Sequence, residues 1–207
     1  MGRMSKLENV LPLFDLKDVD ESNCFSDCSI ACAWLLDKVG PRKVIEIGTS
    51  YGKQLMTFVP KSSITYCIDP MYNWVPDISD AMVFDPKLVD QEKVGTWRKH
   101  AEPAKDKVEL IFANSFHVVS EGVYNEKLKG AEILIIDGCH HPADLVYKDY
   151  ENFMPLLAST HYVLWDDANL GDVGVAIQKQ IDTCRAAGFQ VERGNYKNCT
   201  MVWINKG

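Results

Sequence analysis

The sequence predicts an α/β fold, a doubly wound, mainly parallel sheet in a single domain. Three observations carry that reading. Short apolar, β-branched runs recur at residues 44–47, 64–68, 108–112, 132–136, 162–165 and 200–204. Segments with helical character separate most of them, and runs that are apolar on both faces and alternate with helices belong to parallel strands covered on each side. Finally, 207 residues with 46% hydrophobic and 25% charged side chains match the size and composition of one globular domain, taken here as 1–207.

Taken in order, residues 1–40 form an N-terminal helical segment. Its helix covers 24–39, where Phe25, Cys28, Cys32, Leu35, Leu36 and Val39 share one face, and Gly40-Pro41 supplies the stop. The strand 44–47 runs into a glycine-bearing loop that opens the next helix. After the strand 64–68 the alternation is interrupted by residues 71–106, rich in Pro and charge and carrying Trp74 and Trp97, with helical character over 86–100. An excursion of this size after a strand end either decorates the sheet or covers the ligand cleft, and we expect a cleft-covering insertion. Following the strand 132–136, a helix has Pro142 in its first turn and Leu145, Val146, Tyr150 and Phe153 on its inner face, with Pro155 bending or ending it. The last helix spans 173–187, with Ala176, Ile177, Gln180, Ile181 and Cys184 in register, and stops at Gly188.

With 22 Lys+Arg against 29 Asp+Glu the net charge is -7, which excludes a nucleic-acid binder that works through a basic surface. No apolar run approaches the roughly 18 residues of a membrane span, and Glu8 and Asn9 stand where a signal peptide needs an apolar stretch. Lys6 stands where a myristoylation motif after Gly2 needs Ser or Thr. Seven cysteines, an odd number in a chain large enough to build its own core, indicate free thiols and a reducing cytoplasm. Cys24, Cys28 and Cys32 fall at i, i+4, i+8, one residue too long in the second gap for a radical iron–sulfur loop, and read instead as small buried helix residues.

The sharpest motif is Glu46-Ile47-Gly48-Thr49-Ser50-Tyr51-Gly52, directly after the first strand. Its glycines remove side chains that would block a ligand from the backbone N–H groups. Asp69 lies 21 residues beyond Gly48 at the next strand end, where a carboxylate can take both hydroxyls of a ribose. The arrangement is one for a nucleoside. It departs from the dinucleotide fingerprint, because no glycine occupies position 50, and this disfavours a nicotinamide-dependent oxidoreductase; no P-loop is present either. Asp69-Pro70-Met71-Tyr72 looks like the base-holding loop of DNA amino methyltransferases, but it follows the wrong strand and lacks the second proline.

A second constellation stands at two further strand ends: Asp137-Gly138-Cys139-His140-His141 and Trp165-Asp166-Asp167-Ala168-Asn169. In an open α/β sheet these ends face the same cleft as the glycine loop. Three carboxylates there repel one another unless a cation lies between them. Asp137, Asp166 and Asp167 are the candidate ligands of a divalent cation, Mg²⁺ foremost, since oxygen donors favour a hard ion. His140 is the candidate general base, with His141 as its understudy. The competing reading makes these acids, and His141, caps of the following helices.

These residues resemble the class I S-adenosylmethionine-dependent methyltransferases, over about residues 39–204. The resemblance implies the Rossmann-like fold of that class and S-adenosyl-L-methionine as cofactor. It places Glu46 near the amino-acid portion of the cofactor, Gly48, Thr49, Ser50, Tyr51 and Gly52 along it, Asp69 at the ribose, and Asn114 and Ser115 at the adenine. The I-D-G-x-H segment followed by paired acids is similar to the branch with macrocin-type sugar methyltransferases and cephalosporin-hydroxylase-like proteins. That branch implies a metal-assisted O-methyltransferase, with catalytic roles for His140 and Asp137, acting on a small-molecule hydroxyl and with neither nucleic acid nor membrane as partner. A homo-oligomer is left open. The alternative is a cofactor- and metal-binding module of the same fold with a non-methylating, hydroxylase-associated role.

Overall fold

The structure, a computed structural model, describes residues 26–72 and 84–207. Their elements are α1 (Asp27–Val39), β1 (Lys43–Ile47), α2 (Leu55–Phe58), β2 (Ile64–Ile68), α3 (Gln91–Ala101), β3 (Val108–Ile111), α4 (Ser115–Ser120), α5 (Asn125–Leu128), β4 (Ala131–Ile136), α6 (Ala143–Phe153), β5 (Leu157–Trp165), α7 (Gly171–Ala186), β6 (Gln190–Tyr196) and β7 (Cys199–Asn205). The strands form one sheet in the order β3-β2-β1-β4-β5-β7-β6. Only β7 runs against its neighbours, pairing antiparallel with both β5 and β6. The expected doubly wound, mainly parallel sheet is therefore present.

Alternation of side chains along each strand feeds two cores. On one face Val44, Cys67, Ile133, Tyr162 and Met201 pack under α1, α2 and α3 through Leu35, Phe58 and Trp97. On the other, Ile45, Ile68, Leu134, Trp165 and Val202 pack under α4 to α7 through Val118, Tyr150, Phe153 and Ile177. Burying β1 and β4 on both faces is what made them legible as predominantly apolar runs, each with a single glutamate, Glu46 and Glu132.

Several boundaries differ from the sequence reading. The first helix begins at Asp27, not at 24, because Ser26 caps it: its side chain accepts from Ser29 N–H at 3.3 Å. Cys24 and Phe25 lie outside the described residues, whereas Cys28 and Cys32 are fully buried core residues, as expected. The helix after the glycine loop is one turn, α2, followed by a 3-10 turn containing Pro60. Pro142 is the N-cap of α6 rather than part of its first turn. β5 begins five residues earlier than expected, at Leu157. β6 was missed altogether, since Gln190, Glu192, Arg193 and Asn195 give a polar edge strand no apolar signature. Of residues 71–106, the described part contributes α3, which packs beside the glycine loop; Trp74 lies outside the described residues. No described helix is long and apolar enough to cross a membrane.

The strand order reverses between β1 and β4, so their carboxyl ends open the crevice of the sheet.

Candidate active site

Four strand ends line up at that crevice because the ladder bonds continue one residue past each strand. Gly48 N donates to Ile68 O, Asp69 N to Ile111 O, Asp137 N to Ile47 O and Asp166 N to Ile136 O, at 2.9 to 3.3 Å. A glycine and three acids thus stand in a row. Above them opens a cavity of about 550 Å³ lined by Gly48, Ser50, Asp69, Asn114, Ser115, Asp137 and His140, together with Tyr72, Lys93, Phe116, Cys139 and Asp149.

The glycine loop is shaped more by its own packing than by room for a ligand. Gly48 has φ +86, and a Cβ there would stand 2.0 Å from the carbonyl oxygen of Asp137. At Gly52, φ +70, a Cβ would meet the Trp97 ring at 2.6 Å. Thr49 is buried, with its hydroxyl accepting from Trp97 Nε1 at 3.1 Å, and Tyr51 projects outward. Glu46 is buried beneath the loop; burial first, opposed by hydrogen bonds from Thr49, Cys67 and Gln54, raises its carboxyl to about 7. So Gly48 and Ser50 line the cavity, while Glu46, Thr49, Tyr51 and Gly52 support the loop that does.

Asp69 holds the second side of the cavity. Its Oδ2 accepts from Ser50 N–H at 2.8 Å, and its Oδ1 from Met71 N–H at 2.5 Å and Lys93 Nζ at 3.3 Å. These bonds fix the carboxylate at the mouth of β2, with Lys93 as a counter-charge that the sequence reading missed. No local motif marks Lys93; α3 brings it there through tertiary packing. Asn114 caps α4, its Oδ1 accepting from Phe116 N–H at 3.0 Å, and Ser115 donates to Asp149 Oδ1 at 2.5 Å. Asp149 had a readable signal, an acid on the apolar face of α6 between Val146 and Tyr150.

Of the acids at the ends of β4 and β5, Asp137 lines the cavity, whereas Asp166 and Asp167 stand beside it and are not part of its lining. Asp137 is pushed up to about 9, first by burial and then by the charges of Asp166, Glu46 and Asp167. Burial likewise raises Asp166, which accepts from Ser26 Oγ at 3.0 Å. The α1 cap residue thereby reaches the site, a contact no spacing could announce. His140 Nε2 lies 3.8 Å from Asp137 Oδ1 and 3.7 Å from Asp167 Oδ2, and is a buried nitrogen with no hydrogen bond. His141 instead forms a close pair with Asp172 on the surface. The N-caps of α6 and α7 are Pro142 and Leu170, neither with a side-chain cap bond, so the acids are not acting as helix caps. Among the described residues no group of three or more His, Cys, Asp or Glu side chains is placed so that it could hold a metal ion as it stands, Asp137, Asp166 and Asp167 included.

A family model for a methyltransferase domain matches residues 45–168, more than half of the chain. No curated protein matches it. Among solved structures, an O-methyltransferase from Bacillus cereus in complex with SAH is 15% identical, with a TM-score of 0.60 and coverage of 97% of this chain and 90% of that one. A candidate caffeoyl-CoA O-methyltransferase from Staphylococcus aureus is 14% identical, with a TM-score of 0.60 and coverage of 97% and 92%. A methyltransferase from Geobacter sulfurreducens is 15% identical, with a TM-score of 0.59 and coverage of 88% and 80%. At these identities the likeness is one of fold.

Proposed function

The chain belongs to the methyltransferase-domain family and is an S-adenosylmethionine-dependent methyltransferase; from that premise we propose that it methylates a hydroxyl oxygen of a small molecule with the help of a divalent cation. The observation that carries the reading is the position of His140. Its unpartnered Nε2 stands between two carboxylates on the wall of the same cavity that Gly48 and Asp69 line.

The reaction is an in-line displacement: the acceptor oxygen bonds the methyl carbon, the carbon–sulfur bond breaks, and the sulfonium sulfur keeps the electron pair. The protein mainly has to align the two reactants and remove one proton. Gly48, Ser50 and Asp69 would orient the cofactor, and His140 Nε2 would take the hydroxyl proton. A proton arriving there sits 3.7 Å from Asp167 Oδ2, in a site where crowded acids favour an added positive charge.

Asp137, Asp166 and Asp167 would hold the cation. Their oxygens are donors for a hard ion, and the crowding that keeps a proton on Asp137 is relieved equally by a metal. Bound there, a divalent cation would supply positive charge that eases loss of the acceptor's proton. Six described cysteines, all free, support placing the enzyme in the reducing cytoplasm.

The test is transfer of a labelled methyl group from S-adenosylmethionine to a panel of phenols, sugars and polyketide-like alcohols, run after chelation and after Mg²⁺ is restored. We expect one hydroxyl class to accept, activity to vanish on chelation and Mg²⁺ to restore it. Full activity in the chelated enzyme would sink the cation; transfer to amines or RNA alone would sink the small-molecule hydroxyl.

A further inference from the structure

We propose that Cys28 and Cys199 are a redox pair: hydrogen peroxide joins them in an intrachain disulfide that ties the start of α1 to the β6–β7 hairpin and steadies the segment 166–168 held between the two. The contacts that carry this lie outside the cavity, so it stands apart from the reading of the acceptor.

The two sulfurs lie 2.7 Å apart although their residues are 171 positions apart in the chain. That is within about 0.7 Å of a covalent sulfur–sulfur bond. Contacts beside the sulfurs hold the two segments in register. Asp27 Oδ2 accepts from Asn198 N–H at 3.1 Å, which sets the residue before Cys28 against the residue before Cys199. Cys199 is fixed further by its pairing with Tyr196 across the hairpin. Three of the other described thiols are engaged by oxygen instead: Cys67 donates to Glu46 at 3.3 Å, Cys139 donates to the His141 carbonyl at 2.8 Å, and Cys184 meets the Tyr150 hydroxyl at 3.2 Å.

The Cys28 S–H donates to Cys199 Sγ, and this orders the chemistry. Burial raises both thiols; at Cys199 the hydrogen bond from Cys28 opposes that rise, whereas at Cys28 the neighbouring Cys199 adds to it. Cys199 therefore ionises more readily and attacks first. Its thiolate bonds one peroxide oxygen, the O–O bond breaks, and the other oxygen leaves as hydroxide, which takes up the thiol proton to become water. The Cys28 sulfur then attacks the sulfenic sulfur, and the hydroxyl leaves with the Cys28 proton as a second water. The two thiols give up two electrons and peroxide gains them. Both sulfurs are fully buried, so the oxidant must be small and local opening at the first turn of α1 sets the rate. In a reducing compartment the pair stays open.

Ser26, two residues before Cys28, donates to Asp166 Oδ2 at 3.0 Å, and Asn198 O accepts from Ala168 N–H at 2.7 Å. A bond between Cys28 and Cys199 thus joins the two supports of residues 166–168, and it closes a loop that spans most of the chain.

The test treats the wild-type chain, Cys28→Ala, Cys199→Ala and Cys32→Ala with peroxide until the half-buried Cys139 is oxidised, then maps peptides by mass without reductant. Thermal melts and amide exchange are taken before treatment, after it, and after dithiothreitol. Wild type and Cys32→Ala should yield a peptide joining Cys28 to Cys199. Their melting temperature should rise on treatment by on the order of 10 °C more than that of the other two variants and fall back with dithiothreitol. Exchange across 166–168 should slow in the same two proteins alone. Oxidised Cys139 beside unchanged Cys28 and Cys199 overturns the proposal, as does a bond from either to Cys24 or Cys32. The joined peptide with no gain in melting temperature and no slower exchange overturns the tie between α1 and the hairpin.

Discussion

His140 and His141 are neighbours in sequence with opposite surroundings. The first has its Nε2 buried between Asp137 and Asp167; the second has a largely exposed side chain paired with Asp172 on α7. If His140 takes the acceptor's proton, His140→Ala should lower kcat by roughly 10²- to 10⁴-fold, the usual worth of a general base. Affinity for S-adenosylhomocysteine should stay within about threefold, since the cofactor's contacts lie elsewhere. His141→Ala should retain most activity. Initial-rate kinetics beside calorimetry check this, and a His140→Ala enzyme with near wild-type kcat would end its role as base. The residue types at strand ends were legible, because an acid or glycine directly after an apolar run is a local signal. Which of two adjacent histidines faces the cleft was not, since it depends on the path of the chain from β4 to α6, where no periodicity operates. Lys93 and Ser26 were hidden for a related reason: each reaches the site from an element whose docking, not whose spacing, brings it there.

Elements buried on both faces announced themselves, and those at edges did not. β1, β2 and β4 read as predominantly apolar runs, interrupted only at their ends and by Glu46 in β1, Thr65 in β2 and Glu132 in β4, whereas β6 is exposed along much of its length and carries Glu192, Arg193 and Asn195. The glycine loop shows how a correct motif can carry an incomplete reason. Its first glycine was expected to clear space for a ligand; in the structure it lets β1 and β4 end side by side, with Ile47 paired to Ile136 and Gly48 against the backbone of Asp137. Gly48→Ala should therefore destabilise the fold as well as the site. A positive φ costs an alanine about 1–2 kcal/mol and overpacking about 1–3 more, so a loss of roughly 2–5 kcal/mol is expected. Gly130 is the control, with φ +75 and no atom within 4 Å of the place an alanine methyl would take. Gly130→Ala should lose only the conformational part, about 1–2 kcal/mol. Urea unfolding of the two variants separates the contributions, and equal midpoints would remove the steric argument at Gly48.

At the scale of the whole molecule, two packed faces force titratable groups into the interior, and their signs oppose. Glu46 and Asp149 have carboxyls raised to about 7 by burial. His161, fully buried on β5 with Nδ1 bonded to the Ala158 carbonyl at 2.8 Å and Nε2 unpartnered, is pushed down to about 4, also by burial. The doubly wound architecture followed from the sequence because it depends on periodicity summed over many residues; these interior charges did not, because a single Glu or His in an apolar run gives no sign of whether it will be paired. An acid whose folded pKa lies above its ordinary value favours the fold at low pH, and that support is lost as pH rises through about 7. A histidine whose folded pKa lies below 6.5 favours the fold above 6.5, and that support is lost as pH falls through about 4. Each of Glu46 and His161 is worth on the order of 3 kcal/mol over its full window, at 1.36 kcal/mol per pH unit. In wild-type protein these terms partly cancel between about pH 4.5 and 6.5, so the variants are more telling than the parent profile. Relative to wild type, Glu46→Gln should gain stability steadily from pH 5 to pH 8, and His161→Gln should gain it as pH falls from 6.5 toward 4, whatever constant offset each substitution adds. Urea unfolding at pH 4.5, 6 and 8 gives both difference curves. Curves parallel to wild type would mean that these groups reach water in the folded protein and that neither face of the sheet is as dry as its packing indicates.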